Sequence, residues 1–195
     1  DADTFEQFHE QLERYVRERL IPAEKDVIAN DAIPADIVDE MKEMGLFGLT
    51  VPEEYGGAGL SVTQYARTVK TMAYAAPAFR SIFSINVGMF NSAIKNGGTE
   101  AQKAEWWPRI AGGEIACFGL TEPGSGSDSA AMQTTAKPDP DGNGWILNGS
   151  KRYITNAPHA DVALIMARTE KEALPKNAHV SAFIVPMDTP GMSTG

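Results

Sequence analysis

Two stretches of this chain carry side chains suited to holding a planar or phosphorylated ligand. The first is Leu120-Thr121-Glu122-Pro123-Gly124-Ser125-Gly126-Ser127-Asp128. The apolar run Ile115 to Thr121 reads as a short strand, and it feeds a loop with two glycines, three hydroxyls and one proline. Glycines remove Cβ atoms, so backbone N–H groups can approach a flat ring or a phosphate. Pro123 stiffens the approach and lowers the entropy lost on ordering the loop. The segment is not a GxGxxG turn, because Ser129 stands where the third glycine belongs, and no GK[ST] is present. A ligand-binding loop and an ordinary glycine-rich turn between strands both remain open on this pattern alone.

The second stretch is Trp145-Ile146-Leu147-Asn148-Gly149-Ser150-Lys151-Arg152-Tyr153-Ile154-Thr155-Asn156. It reads as a hairpin, WILN then GS then KRYITN. In its second strand Tyr153 and Thr155 alternate onto one face, with Ile154 opposite. A ring and a hydroxyl two residues apart could cover and hydrogen-bond one planar cofactor. The plainer reading is that Tyr and Thr are good strand formers. Asn148-Gly149-Ser150 also fits a glycosylation sequon, and it reads as a turn.

The elements around these segments change period near Gly112. Residues 4 to 20 place Phe5, Phe8, Leu12, Tyr15, Val16 and Leu20 on one helical stripe. A second helix spans 34 to 44, with Gly45 as its stop. The run around Pro52 to Gly59 reads as loop. Ser61-Val62-Thr63-Gln64 is a capping-box pattern opening a helix to about Ala75. Pro77 breaks the chain, and a low-charge helix follows from Ala78 to Asn96. Its Met89, Phe90 and Ile94 suit core packing or the lining of a pocket. Thr99-Glu100-Ala101-Gln102 is a second capping box, opening a short helix through Trp106 that Pro108 bends or ends.

Beyond Gly112 the expected strands are Ile115 to Thr121, Gln133 to Lys137, Gly144 to Asn148, Lys151 to Thr155, Val162 to Arg168 and Val180 to Val185. The expected fold class is α+β: an N-terminal all-α helical domain over 1–112, then an antiparallel β-barrel or sandwich over 113–195. The absence of βαβ alternation disfavours a doubly wound dinucleotide fold.

The chain has 195 residues and a formal net charge of −9, and both halves are acidic. A nucleic-acid backbone would be repelled. No apolar run approaches 18 residues, so no membrane span is expected. The single cysteine, Cys117, reads as a small buried side chain or a reactive thiol, the first fitting its apolar neighbours better. Three histidines and one cysteine spell no metal motif. A reducing compartment, cytoplasmic or the mitochondrial matrix in a eukaryote, is the expected location.

Pro52-Glu53-Glu54-Tyr55-Gly56-Gly57-Ala58-Gly59, Thr121 to Asp128 and Asn148 to Asn156 together resemble the acyl-CoA dehydrogenase family in order and spacing. The resemblance implies α,β-dehydrogenation of an acyl-CoA thioester with FAD: a carboxylate removes the Cα proton and a hydride leaves Cβ for the flavin. It implies cofactor-binding residues Phe118, Leu120, Thr121, Gly126, Ser127, Tyr153, Ile154 and Thr155. Thr121 would bond the flavin's pyrimidine end, Ser127 would also face the CoA thioester, Tyr153 would cover the ring opposite the substrate, and Thr155 would sit near N5. Many members carry Trp at the Tyr153 position, and Ser125 stands where Ala is common. The family's catalytic glutamate comes from a third, helical domain that has no counterpart here, so no catalytic base is assigned. The chain is therefore expected to be inactive alone and weak or empty in flavin. An electron-transferring flavoprotein is the implied electron acceptor, and a homo-oligomer the implied state of the whole protein. The alternatives are a flavin oxidase or monooxygenase of the same fold, and a non-catalytic binding or regulatory module.

Overall fold

The computed structural model describes residues 2–142, 144–169 and 179–195. The chain divides into two compact units, one ending at Ile115 and the other beginning at Ala116.

The first unit is helical. It contains α1 (Ala2–Tyr15), a π-helical stretch Val16–Leu20, α2 (Ile21–Asn30), α3 (Ala35–Glu43), α4 (Val62–Met72), α5 (Pro77–Ser84), a second π stretch Ile85–Phe90, α6 (Asn91–Gly97) and α7 (Glu100–Ala111). Leu12, Val16, Leu20, Ile37, Met41 and Phe47 are among the side chains of its apolar core. The predicted stripe of residues 4 to 20 therefore does face inward, but the helix continues ten residues further. Pro22 lacks an amide N–H and its ring crowds the carbonyl four residues back. The π stretch just before it widens the ladder there, with Ile21 N–H bonding Val16 O.

The two capping boxes form as the sequence predicts. Ser61 with Gln64 starts α4, and Thr99 with Gln102 starts α7. Pro108, expected to bend or end the last helix after Trp106, lies inside α7, which runs on to Ala111. Gly112 N–H bonds Pro108 O, so the turn after the proline is closed. Phe90 and Ile94 are buried, whereas Met89 is exposed. Phe90 meets Trp106 edge to face at 6.3 Å. That settles Phe90 and Ile94 as core.

The loop after α3 is compact. Gly57 N–H bonds Pro52 O, and Ala58 N–H bonds Gly48 O. A methyl group at Gly57 would overlap the Val51 carbonyl, a backbone atom that cannot swing away.

The second unit holds β1 (Ala116–Gly119), β2 (Thr135–Pro138), β3 (Trp145–Asn148), β4 (Val162–Thr169) and β5 (Val180–Pro186). The sheet is mixed where an antiparallel one was expected. β1 and β2 pair with β4 in parallel, while β3 pairs with β2 and β5 with β4 antiparallel. β5 runs along β4 from Val162 to Arg168, so β1 and β2 must share the other edge end to end. Parallel neighbours need a crossover. Here loops and the β2–β3 hairpin supply it, which is why no helix marked it in the sequence. The hairpin turn closes with Asp139 N–H on Gly144 O. Trp145 on β3 meets Phe183 on β5 edge to face at 5.5 Å, so the sheet curls.

Residues Lys151 to Thr155, expected as a strand, form none. β3 spends its ladder on β2, and Tyr153 and Asn156 adopt φ of 58° and 71°, which a strand cannot contain. The alternation of Tyr153 and Thr155 onto one strand face is therefore lost. Among the described residues no helix is long and apolar enough to cross a membrane.

Replacing Gly57 by Ala is expected to destabilise the first unit by about 3 kcal/mol. Gly97→Ala, where the added methyl meets nothing within 4 Å, is expected to leave it unchanged or slightly more stable. Thermal unfolding of the two variants beside the parent checks the contrast.

Candidate functional site

The two segments singled out from sequence are tied together inside the second unit. Arg152 N–H donates to Thr121 O at 2.8 Å. Lys151 Nζ donates to Leu120 O at 3.1 Å and to the Glu122 carboxylate at 2.7 Å. Glu122 is the centre of this junction. Its Oε2 accepts from Gln133 N–H, and its Oε1 accepts from Thr134 N–H, Thr134 Oγ1 and Lys151 Nζ. The Glu122 and Lys151 side chains are 4% and 9% exposed, so both charges are buried.

Burial alone would raise the pKa of Glu122. Donation from Gln133 N–H, Lys151 and Thr134 outweighs burial and holds the carboxyl down at about 2. Gly149 lies flat on Thr134, where a methyl group would overlap the Thr134 side chain and Cα. The glycine is thus required by close approach at the point where the second segment leaves β3.

The glycine-rich loop is shaped from the same centre. Glu122 and Ser125 exchange backbone hydrogen bonds in both directions, which closes the Glu122–Ser125 turn. Ser125 Oγ then donates to Asp128 O at 2.7 Å. Ser125 and Glu122 are buried, while Gly124, Gly126 and Ser127 are exposed. Asn156 at the far end of the second segment donates to Ala116 O at the start of β1.

The sequence-predicted site residues fall into three places. Phe118 lies on β1, on the face opposite Cys117 and Gly119. Leu120, Thr121, Gly126 and Ser127 follow it into the loop, and Thr121 and Leu120 are joined to the second segment by the bonds above. Tyr153 and Ile154 border a groove of about 620 Å³ whose lining includes Cys117, Leu147, Ile165 and Val185. Thr155 is exposed and outside that lining. Cys117 is 2% exposed, and burial pushes its thiol up to about 11, so it is an unreactive lining residue.

The donor set matches the demands of a flat, polar-edged ring. The hydroxyls of Thr121, Ser127 and Thr155 make no hydrogen bond among the described residues. The Tyr153 ring is 79% exposed, with the Arg152 guanidinium 4.7 Å from its centroid. An exposed aromatic residue held at positive φ is uncommon, and such strain is characteristic of ligand sites. These are the features an isoalloxazine requires: a ring to stack on and hydroxyls for its edges. The residues present therefore fit FAD. Among the described residues no cluster of His, Cys, Asp and Glu could hold a metal ion.

Sequence reasoning passed over the Glu122–Lys151 pair. The available signal was a glutamate at the mouth of one segment and a lysine at the mouth of the other.

Fold and loops together define a helical unit followed by a mixed-sheet unit, and comparison with known proteins gives the family. Residues 2–114 match the acyl-CoA dehydrogenase N-terminal domain and residues 117–195 the acyl-CoA dehydrogenase middle domain. The chain belongs to the acyl-CoA dehydrogenase family, whose members are FAD-dependent oxidoreductases of fatty acid metabolism. It is 38% identical to the human mitochondrial short-chain specific acyl-CoA dehydrogenase over 93% of this chain and 43% of that protein. The solved glutaryl-CoA dehydrogenase of Mycobacterium smegmatis, in complex with FADH2, superposes with a TM-score of 0.84 at 35% identity, over 98% of this chain and 47% of that one. The butyryl-CoA dehydrogenase of Megasphaera elsdenii gives a TM-score of 0.88 at 31% identity, over 97% of this chain and 50% of that one. The chain thus spans half or less of the length of each of these three.

Glu122→Gln and Lys151→Met are each expected to cost the second unit about 3–5 kcal/mol, because each leaves a buried charge or its donors uncompensated. The double variant is expected to recover part of that loss. Since the Glu122 pKa is lowered on folding, its contribution is complete above the ordinary value of 4.5 and disappears as pH falls through about 2. The stability gap between the parent and Glu122→Gln, read by urea unfolding, should narrow from pH 4.5 downward.

Proposed function

We propose that this chain is the N-terminal helical part and the middle β part of a flavin-dependent acyl-CoA dehydrogenase. The two parts would divide between 112 and 116. The reaction is α,β-dehydrogenation of an acyl-CoA thioester. Bound FAD supplies the two-electron oxidant.

The observation that carries this reading is the junction of the two segments through Arg152 with Thr121 and Lys151 with Glu122. It supports one ligand being held by both. Tyr153 would offer its ring to one face of the flavin, and Thr121 and Thr155 would hold its edge with their hydroxyls. Ser127 would serve the pyrophosphate and the thioester, Gly126 would leave room for the ligand, and Phe118, Leu120 and Ile154 would give the cradle its apolar walls.

Glu122 is unsuited to proton abstraction. Its oxygens accept four hydrogen bonds, and a carboxylate held at about 2 is a weak base at neutral pH. Glu53, Glu54 and Asp128 match no base position of the family. In this reading the base, as the family resemblance implies, is supplied from outside this chain, and acyl-CoA and an electron-transferring flavoprotein are partners of the whole protein, as is a second copy of itself.

The purified 195-residue chain, given several acyl-CoAs and an artificial electron acceptor, is expected to show no turnover. Turnover would contradict the reading. Rapid reoxidation of the reduced flavoprotein in air with peroxide release would instead favour an oxidase of the same fold.

A further inference from the structure

We propose that Glu122 and Lys151 are a positioning pair that sets the flavin affinity of the site by fixing its two loops against each other. This rests on the flavin reading above. Neither residue touches the ligand in that reading. Each sits near a residue that does: Glu122 follows Thr121, and Lys151 stands two residues before Tyr153.

The connections run through few atoms. Glu122 fixes the glycine-rich loop from within, because its own backbone closes the turn with Ser125 and its carboxylate takes the Gln133 and Thr134 amides. Lys151 reaches across to that carboxylate and to Leu120 O, so it holds the start of the second segment. Arg152 N–H on Thr121 O is then placed by both. Remove either charge and the Thr121 carbonyl and the Tyr153 backbone lose their common reference. The alternative is that the pair is only ballast for the fold. Its position argues otherwise: it lies at the mouths of both loops, beside an exposed ring in a left-handed conformation. Hydroxyls and a ring bind a rigid ligand well only if they are held in register before it arrives.

The test uses the complete gene product that carries this chain. FAD dissociation constants are measured by titrating the apoprotein, with circular dichroism and unfolding temperature recorded in parallel. Glu122→Gln and Lys151→Met, folded at the assay temperature, should bind FAD about 10- to 100-fold more weakly and lose the resolved shoulder of the bound-flavin band. The double variant should lose no more than either single one, because the two act as a unit. Met41→Ala, a buried core change in the helical unit, should lower the unfolding temperature while leaving the FAD constant unchanged. If a single variant fails to fold, the double variant carries the comparison. FAD binding within twofold of wild type in the folded variants overturns the proposal and leaves the flavin reading intact. So does equal weakening by Met41→Ala. A wild-type protein that binds no FAD overturns both.

Discussion

The second unit depends on one buried carboxylate. Taking Glu122 out of water is costly, and the structure offsets that with two backbone amides, a hydroxyl and an ammonium. The donors come from two points of the chain, residues 133–134 and residue 151, so satisfying the charge also pins the chain. Residues 133 and 134 are drawn in just before β2, and residue 151 just after β3. A hydrophobic cluster in the same place would tolerate sliding by a fraction of an ångström. Four hydrogen bonds on two oxygens do not.

The sheet supplies what this junction stands on. β4 is paired along both edges, with β5 on one and β1 then β2 on the other. β1 therefore delivers the glycine-rich loop at a fixed height, and the β2–β3 hairpin delivers the second segment beside it. Gly149 allows the final close approach onto Thr134, whose hydroxyl and amide both serve Glu122. Strand pairing, glycine placement and buried charge thus converge on the relative position of Thr121 and Tyr153. The helical unit repeats the theme less sharply. There Glu40 accepts from Tyr15 and Arg19, joining the long N-terminal helix to α3.

Much of the helical unit was legible because its signals are local. A stripe such as Phe5, Leu12 and Val16, or a capping box at Ser61 or Thr99, is decided within one or two turns. Pro108 misled for the same reason. It is a helix breaker by local rule, yet α7 runs through it to Ala111. The five observed strands also lay where alternation and turn residues put them. What the sequence concealed was non-local. Parallel pairing of β1 and β2 with β4 leaves no mark when the crossover holds no α-helix among its described residues. Tyr153 and Thr155 look like strand residues until Arg152 is seen bonded to Thr121 rather than to a neighbouring strand. Glu122 looks like an ordinary loop acid until its four donors are assembled around it. The resemblance to the family pointed to the two segments, but it said nothing of what holds them together.

Amide hydrogen exchange tests that junction most directly. Glu122 ties Gln133, Thr134 and, through Lys151 and Thr121, Arg152 into one opening unit. Protection of those three amides should therefore be similar in the native protein and should fall together in Glu122→Gln, while the β4–β5 ladder remains protected. Arg152 retaining full protection after that substitution, with Gln133 and Thr134 released, would show that the two loops are held independently and would contradict the account.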